Sequence, residues 1–516
     1  MSPRLAAALA LLPDYLAWHV ALSAAALGLG LVVSLPLAVA ASRSPRLRWP
    51  LLAASSLVQT IPGLALLALF YPLLLALSAV TQAAFGWGFS ALGFLPALLA
   101  LTLYSMLPIL RNAIVGLGGV DPAILAAADG VGMTPAQRLW RVEAPLAAPV
   151  VMAGVRTATV WTIGAATLST PVGQTSLGNY IFSGLQTENW IDVLVGCAAS
   201  AGLALAADQL LGLAETGMRT RSPARLAAGL AGLTAGIALA LAPLAGSGAR
   251  PAYVIGAKNF SEQYILAELM AERLRRTGAE VELRQGLGSA VIYRALAAGE
   301  IDAYVDYSGT LWTNVLQQAD NPGRAEVLRR LAAELKRRDG VVVLGPLGFE
   351  NAYALAMRED RARELRVATL ADLARQAPRL SLGADLEFLA RPEWKAVETA
   401  YGLRFGAQRS YQPTFMYRAL KGGDVDVISA FSSDGRIAAD RLAVLADPKG
   451  AIPPYDAVVL ISPKRARDAR LREALTPLIG RIPVDAMREA NLGVDRDVGK
   501  VTPEQAAEAL EKRLGF

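Results

Sequence analysis

The stretch YVIGAKNFSEQYILAELMAERLRRTGAEVELRQGLGSAVIYRALAAGEIDAYVDYSGT, residues 253–310, decides how the second half of this chain is built. YVIGA (253–257) has the composition of a short buried strand. Ser261 then stands where a helix running to about 276 would be capped. VELRQ (281–285) reads as a second strand, Ser289 caps a second helix to about 298, and DAYVDY (302–307) reads as a third strand. Strand and helix alternating in this way predict an α/β lobe with a mainly parallel sheet. Ligands collect beyond the carboxyl ends of such strands. Here those ends are Lys258-Asn259 and Tyr307-Ser308-Gly309-Thr310.

Further along, the chain repeats itself at an offset of 124. Tyr293-Arg294-Ala295-Leu296 returns as Tyr417-Arg418-Ala419-Leu420, Gly299 as Gly423, Asp302 as Asp426 and Tyr307 as Phe431. Both copies read as a helix, a turn and a strand that ends in an aromatic residue; the shared YRAL is read as packing. One copy per lobe puts Tyr307 and Phe431 on opposite walls of one cleft. The first lobe is placed at about 252–345 and the second at about 350–455. The chain returns to the first lobe over 456–516 and ends in helices near 464–480, 484–491 and 503–513. Hinge closure around a ligand is the expected motion.

The first half is different. Residues 1–250 hold 20 of the 94 charged residues in a chain of 516, and no lysine precedes Lys258. Such a division excludes a wholly soluble enzyme, a fibre and a disordered scaffold. Apolar stretches long enough to span a bilayer lie at roughly 16–41, 51–80, 93–117, 146–169, 191–215 and 226–246. Arg43, Arg46 and Arg48 follow the first, Arg138 and Arg141 the third, and Arg219 and Arg221 the fifth, whereas the alternate loops hold only Glu188. Positive loops stay in the cytoplasm, so the N-terminus and everything beyond about residue 250 are expected outside. The same arginines explain much of the net charge of +6 without nucleic acid. The one cysteine, Cys197, excludes an internal disulfide and reads as a small buried hydrophobe; the one histidine, His19, has no second histidine with which to bind a metal.

One cytoplasmic segment is more than a tether. In AAADGVGMTPAQRLWRVEAPLAAP (126–149), the alanine-rich run 122–130 reads as a helix, Gly132 as its break, Pro135 as the first turn of a second short helix and Pro145 as its end. The spacing of Ala126, Ala127 and Ala128, then Gly132, Val142 and Pro145 resembles the EAA loop of ABC importer permeases, which docks in a groove of the ATPase. The glutamate of that motif is Ala126 here. The chain has no GxxxxGK[ST] phosphate loop, so any ATP-driven motor is a separate polypeptide.

GAKNFSEQYILAEL (256–269), DYSGT (306–310), ENAYALAM (350–357), EFLARPE (387–393) and FSSDGR (431–436) resemble the substrate-binding proteins of the glycine betaine, choline and carnitine importers. The first half resembles the permeases of the same systems; ergothioneine importers include similar fusions. The resemblance implies an all-α transmembrane permease domain over 1–246 with its coupling loop at 122–149, a linker at 247–251, and an α/β two-lobed periplasmic-binding-protein-type domain over 252–516. It carries the ligand box onto Tyr307, Tyr353, Phe431 and Tyr455, with Lys258, Thr310 and Arg391 as polar partners; Phe431 departs from the more usual tyrosine. It implies as partners a cytoplasmic ATP-binding subunit dimer, a second permease copy, membrane lipid and a trimethylammonium ligand, in a bacterial inner membrane, with no nucleic acid, no cofactor and no metal. The chemistry agrees. Ring faces attract a weakly hydrated quaternary ammonium at about 0.5–2 kcal/mol each, and an arginine can hold a carboxylate in two parallel bonds, so a zwitterion such as glycine betaine fits better than choline. Asp306 and Asp434, beside the box, read as helix caps or partners of basic groups. A sensor would need an output module and an enzyme a catalytic array, and the sequence contains no motif for either.

Overall fold

A computed structural model describes residues 3–187, 189–245, 252–318, 320–496 and 498–515. Glu188 and the expected linker 247–251 lie outside the described residues. The chain divides into two compact units, Met1–Phe182 with Ile191–Arg250, and Ser183–Trp190 with Pro251–Phe516.

The first unit is helical: α1 (Pro3–Arg43), α2 (Pro45–Thr60), α3 (Gly63–Phe85), α4 (Phe94–Gly118), α5 (Pro122–Gly130), α6 (Pro135–Arg138), α7 (Ala144–Ala166), α8 (Gly178–Gln186), which runs into the second unit, α9 (Trp190–Arg219) and α10 (Pro223–Ala245). Among the described residues, six segments are long and apolar enough to cross a membrane: Ala8–Arg43, Gly63–Phe85, Phe94–Gly118, Pro135–Val172, Trp190–Arg219 and Pro223–Leu244. The second span is not the expected 51–80. Ile61, before Pro62, takes an extended conformation, as the proline ring demands of its predecessor; residues 51–60 belong to α2 and the span is α3. Small residues let the helices touch: a Cβ on Gly30 of α1 would lie 2.0 Å from Ser105 Oγ of α4, and one on Gly154 of α7 would lie 2.7 Å from the Pro108 carbonyl of α4. His19 is fully buried, its Nε2 3.0 Å from the Ile163 carbonyl oxygen, and its Nδ1 accepts from Leu177 N. Cys197 corrects an expectation. It is exposed on α9, because an apolar helix in a membrane protein turns apolar residues outward as well as inward.

The second unit contains two five-stranded sheets. Its strands are β1 (Tyr253–Lys258), β2 (Val281–Leu287), β3 (Ala303–Tyr307), β4 (Val342–Glu350), β5 (Tyr353–Arg358), β6 (Ser381–Ala384), β7 (Ala407–Ser410), β8 (Val427–Phe431), β9 (Leu442–Val444) and β10 (Asp456–Ile461). The first sheet has the order β2-β1-β3-β10-β4 and the second β7-β6-β8-β5-β9. Both are mixed rather than mainly parallel. The βαβαβ run makes the parallel part, and β10 enters antiparallel to β3 and β4 as β5 does to β8 and β9. The chain passes between the sheets twice, from β4 to β5 and from β9 to β10. Helices close the end, at Ala469–Leu475, Val484–Asp495 and Pro503–Leu514.

Repeat and structure coincide. Gly299 and Gly423 both take positive φ, 73° and 80°, the left-handed turn that glycine allows. Asp302 accepts from Val254 N and Asp426 from Ser381 N, each at 2.9 Å, so each aspartate ties its strand to the neighbouring one. In YRAL, Ala295, Leu296, Ala419 and Leu420 are buried. Ser261 and Ser289, expected as caps, are instead the first helical residues. Their hydroxyls bond elsewhere, Ser261 to Asp495 and Ser289 to Glu387.

Candidate functional site

A cavity of about 440 Å³ opens in the two-sheet unit, within the range of small-molecule sites. Lys258, Tyr307, Thr310, Tyr353, Arg391, Phe431 and Tyr455, the seven residues singled out in the sequence, all line it. The sheets deliver them. Tyr307 and Phe431 end β3 and β8, Tyr353 opens β5 opposite Phe431 in the ladder, and Tyr455 immediately precedes β10. The Tyr353 ring centroid lies 5.1 Å from Phe431 and 5.6 Å from Tyr455, the latter at 88°. Tyr307 stands apart, stacked on Phe260 at 6.1 Å.

Two of the tyrosine hydroxyls are engaged. That of Tyr307 donates to Glu262 at 2.6 Å and accepts from Gln263 Nε2, while that of Tyr455 donates to Glu393. Glu262 is a hub that the sequence reading missed. Its two carboxylate oxygens also accept from Asn351 Nδ2 at 3.1 Å and Asn491 Nδ2 at 2.8 Å. Burial pushes the Glu262 carboxyl up, against the pull of the Ser433, Tyr307, Asn491 and Asn351 hydrogen bonds.

The polar partners are less free than the sequence suggests. Lys258 is buried and donates to Asp306, which also accepts from Tyr304. Its Nζ lies 5.4 Å from the Tyr307 centroid. Arg391 donates to Glu387, lies 3.6 Å from Glu393, and reaches Thr310 Oγ1 at 3.4 Å, its Cζ 5.2 Å from the Tyr353 centroid. Among the described residues its buried Nε has no protein partner. At the other end, Arg436 bonds Asp434 at 2.6 Å and lies over the Tyr417 ring at 3.9 Å, 4.0 Å from Asp495. Burial pushes the Asp495 carboxyl up to about 6, against the attraction of Arg436. Among the described lining residues, Glu262, Asp385, Glu387, Asp434 and Asp495 outnumber Lys258, Arg391 and Arg436. The arrangement can hold a cationic head against ring faces and leaves the arginine fork beside it.

In the helical unit, Ala126, Ala127 and Ala128 lie in α5, which Asp121 caps through Ala123 N. Gly132 turns the chain with φ 81°, and Thr134 and Gln137 form a capping box on α6. Pro145 does not end the second helix. The chain continues through a π-helical turn, Leu139–Glu143, which holds Val142, into α7, whose second residue is Pro145.

Six apolar spans, a helical hairpin and a receptor-like cavity define a solute permease joined to its own binding domain. Residues 251–512 match the family described as the substrate binding domain of ABC-type glycine betaine transport systems, and residues 30–220 the binding-protein-dependent transport system inner membrane component. The chain belongs to the family of these ABC importer components, as a multi-pass membrane protein. It is 29% identical over 94% of its length to 87% of the ergothioneine transport permease/ergothioneine binding protein of Helicobacter pylori (strain G27). Over 38% of its length it is 40% identical to 83% of a choline transport system permease protein of Bacillus subtilis (strain 168). Over 49% it is 30% identical to 85% of a glycine-betaine-binding protein of Pseudomonas aeruginosa (strain ATCC 15692 and synonyms).

Proposed function

We propose that this chain is the combined permease and extracytoplasmic receptor of an ATP-driven importer, and that its cavity takes a trimethylammonium zwitterion, glycine betaine first. One observation carries the reading: the rings of Phe431 and Tyr455 lie 5.1 and 5.6 Å from that of Tyr353, and all three line the cavity that Tyr307 also lines. With the Tyr307 and Tyr455 hydroxyls bonded to carboxylates, those rings have no free hydroxyl to donate, which suits a ligand group with no hydrogen-bonding capacity. The surplus of carboxylates favours the positive end. Arg391 takes the carboxylate of the ligand by exchanging it for Glu387, its more exposed partner.

In this reading the receptor lies outside the cell, a second permease copy completes the path, and an ATP-binding subunit dimer meets the hairpin 122–149. Exposed Val131 and Trp140 supply the apolar part of that contact. A second reading, ergothioneine as the cargo, is favoured by a lining that includes Ser261, Asn491 and Asp495 besides the rings, polar groups that a betaine leaves unused. Choline and carnitine are the remaining members of the class.

Calorimetric titration of the purified full chain with glycine betaine, choline, carnitine and ergothioneine tests this. Tight binding of one of the four fixes the cargo. Binding of none removes the trimethylammonium assignment.

A further inference from the structure

We propose that Arg138 is the positioning residue through which a push on the α5–α6 hairpin reaches the base of α7 and the end of α1. The proposal rests on the reading of the chain as an importer permease. Arg138 is the last residue of α6. Its Nη1 donates to both carboxylate oxygens of Asp129 on α5, at 2.9 and 2.7 Å. Its Nε donates at 2.8 Å to Oε1 of Glu143, the residue that leads into α7. Arg43, the last residue of α1, stands 3.9 Å from the other oxygen of Glu143. The Arg138 guanidinium therefore joins the hairpin to the residue that leads into α7, and that residue in turn faces Arg43 at the end of α1.

The parts differ in kind. Glu143 is 6% exposed, and a buried carboxylate deprived of its cation is strongly disfavoured. The side chain of Asp129 is 54% exposed, so this pair contributes little to stability. Its effect is geometric: it closes the hairpin across the Gly132 turn. A planar guanidinium serves both carboxylates with separate nitrogens at fixed angles, which an ammonium cannot do. The π-helical turn between Arg138 and α7 is a form found often at functional sites. Joined in this way, the hairpin moves as a lever attached to α7.

The test is amide hydrogen exchange on the full chain with the ATP-binding subunits that co-purify with it, nucleotide-free and trapped with ATP and vanadate. In the wild type, trapping should change exchange both in the hairpin (122–138) and at the base of α7 (144–150). In Arg138→Gln the hairpin response should persist, while the response at the base of α7 falls at least fivefold. Arg138→Lys keeps a cation beside Glu143 and loses the fork, so it should fold normally and show the same loss. An intact α7 response in Arg138→Lys overturns the proposal. So does loss of the ATP-binding subunits from either variant, which would make Arg138 a docking residue. If the wild type itself retains no ATP-binding subunits, the importer reading falls and takes this proposal with it.

Discussion

Tyr307 and Tyr455 turn their hydroxyls onto buried carboxylates, so truncating either removes a ring face and also strands a glutamate. Tyr307→Ala and Tyr455→Ala should each weaken ligand binding at least tenfold, about 1.4 kcal/mol, with the thermal unfolding of each variant as control. Normal affinity in both would remove the ring assignment. Arg391→Ala should weaken carboxylate-bearing ligands much more than choline; equal losses would mean that Arg391 serves only Glu387 and Glu393. Asp495 makes a pH prediction. Its folded pKa of about 6 lies above the ordinary aspartate value. The folded state therefore holds the proton more tightly, and the stability this gives is full below about pH 4 and lost as pH rises through 6. Asp495→Asn should flatten that part of the stability curve and raise stability at pH 7 by about 1–3 kcal/mol, read from chemical denaturation at pH 5 and 7. At this scale the residues that line the cavity were legible, because all of the seven but Tyr455 sit in short motifs. Their partners were legible only in part. Glu387 stands four residues before Arg391 and Glu393 two after, spacings that already suggest pairing. Lys258 and Asp306 are 48 residues apart and meet because β1 and β3 run side by side in parallel register; a single sequence does not specify such a register.

At the scale of elements, turn chemistry decided most outcomes. Pro62 divides two helices where an apolar run suggested one, and the helix runs on through Pro145 where it was expected to stop. Periodicity and composition located β1, β2 and β3 of the first sheet, but the antiparallel entry of β10 depends on the second passage between the sheets, more than 140 residues downstream of β3. Arg156 was passed over inside an apolar run. It bonds Asp208 through two nitrogens, at 3.0 and 2.9 Å, and Glu215 at 2.8 Å, pairing that satisfies charges within a membrane span. Gly309 supplies the sharpest prediction here. A Cβ at that position would lie 2.5 Å from the Tyr455 ring, so Gly309→Ala must push the ring aside. Affinity should fall at least tenfold, with a stability loss of about 1–3 kcal/mol. An unchanged affinity would show that the Tyr455 ring position is immaterial to binding.

For the whole molecule, charge distribution alone separated a lipid-facing half from a water-facing one, and the internal repeat anticipated two sheets. Cutting the chain within 247–251 and expressing the halves together should leave the ligand Kd within twofold. Uptake, however, should come to depend on how much receptor half is present. Uptake insensitive to that amount would mean that the covalent link has no kinetic role. Because one polypeptide carries both halves, each permease copy travels with one receptor, whatever the level of expression. A tether of so few residues keeps receptor and permease at an effective mutual concentration in roughly the millimolar range. Such a system cannot draw on a surplus of loaded receptors when cargo is abundant. Its ceiling is set by how quickly one resident domain empties and refills, which makes the rate of ligand release, rather than the tightness of capture, the property under pressure.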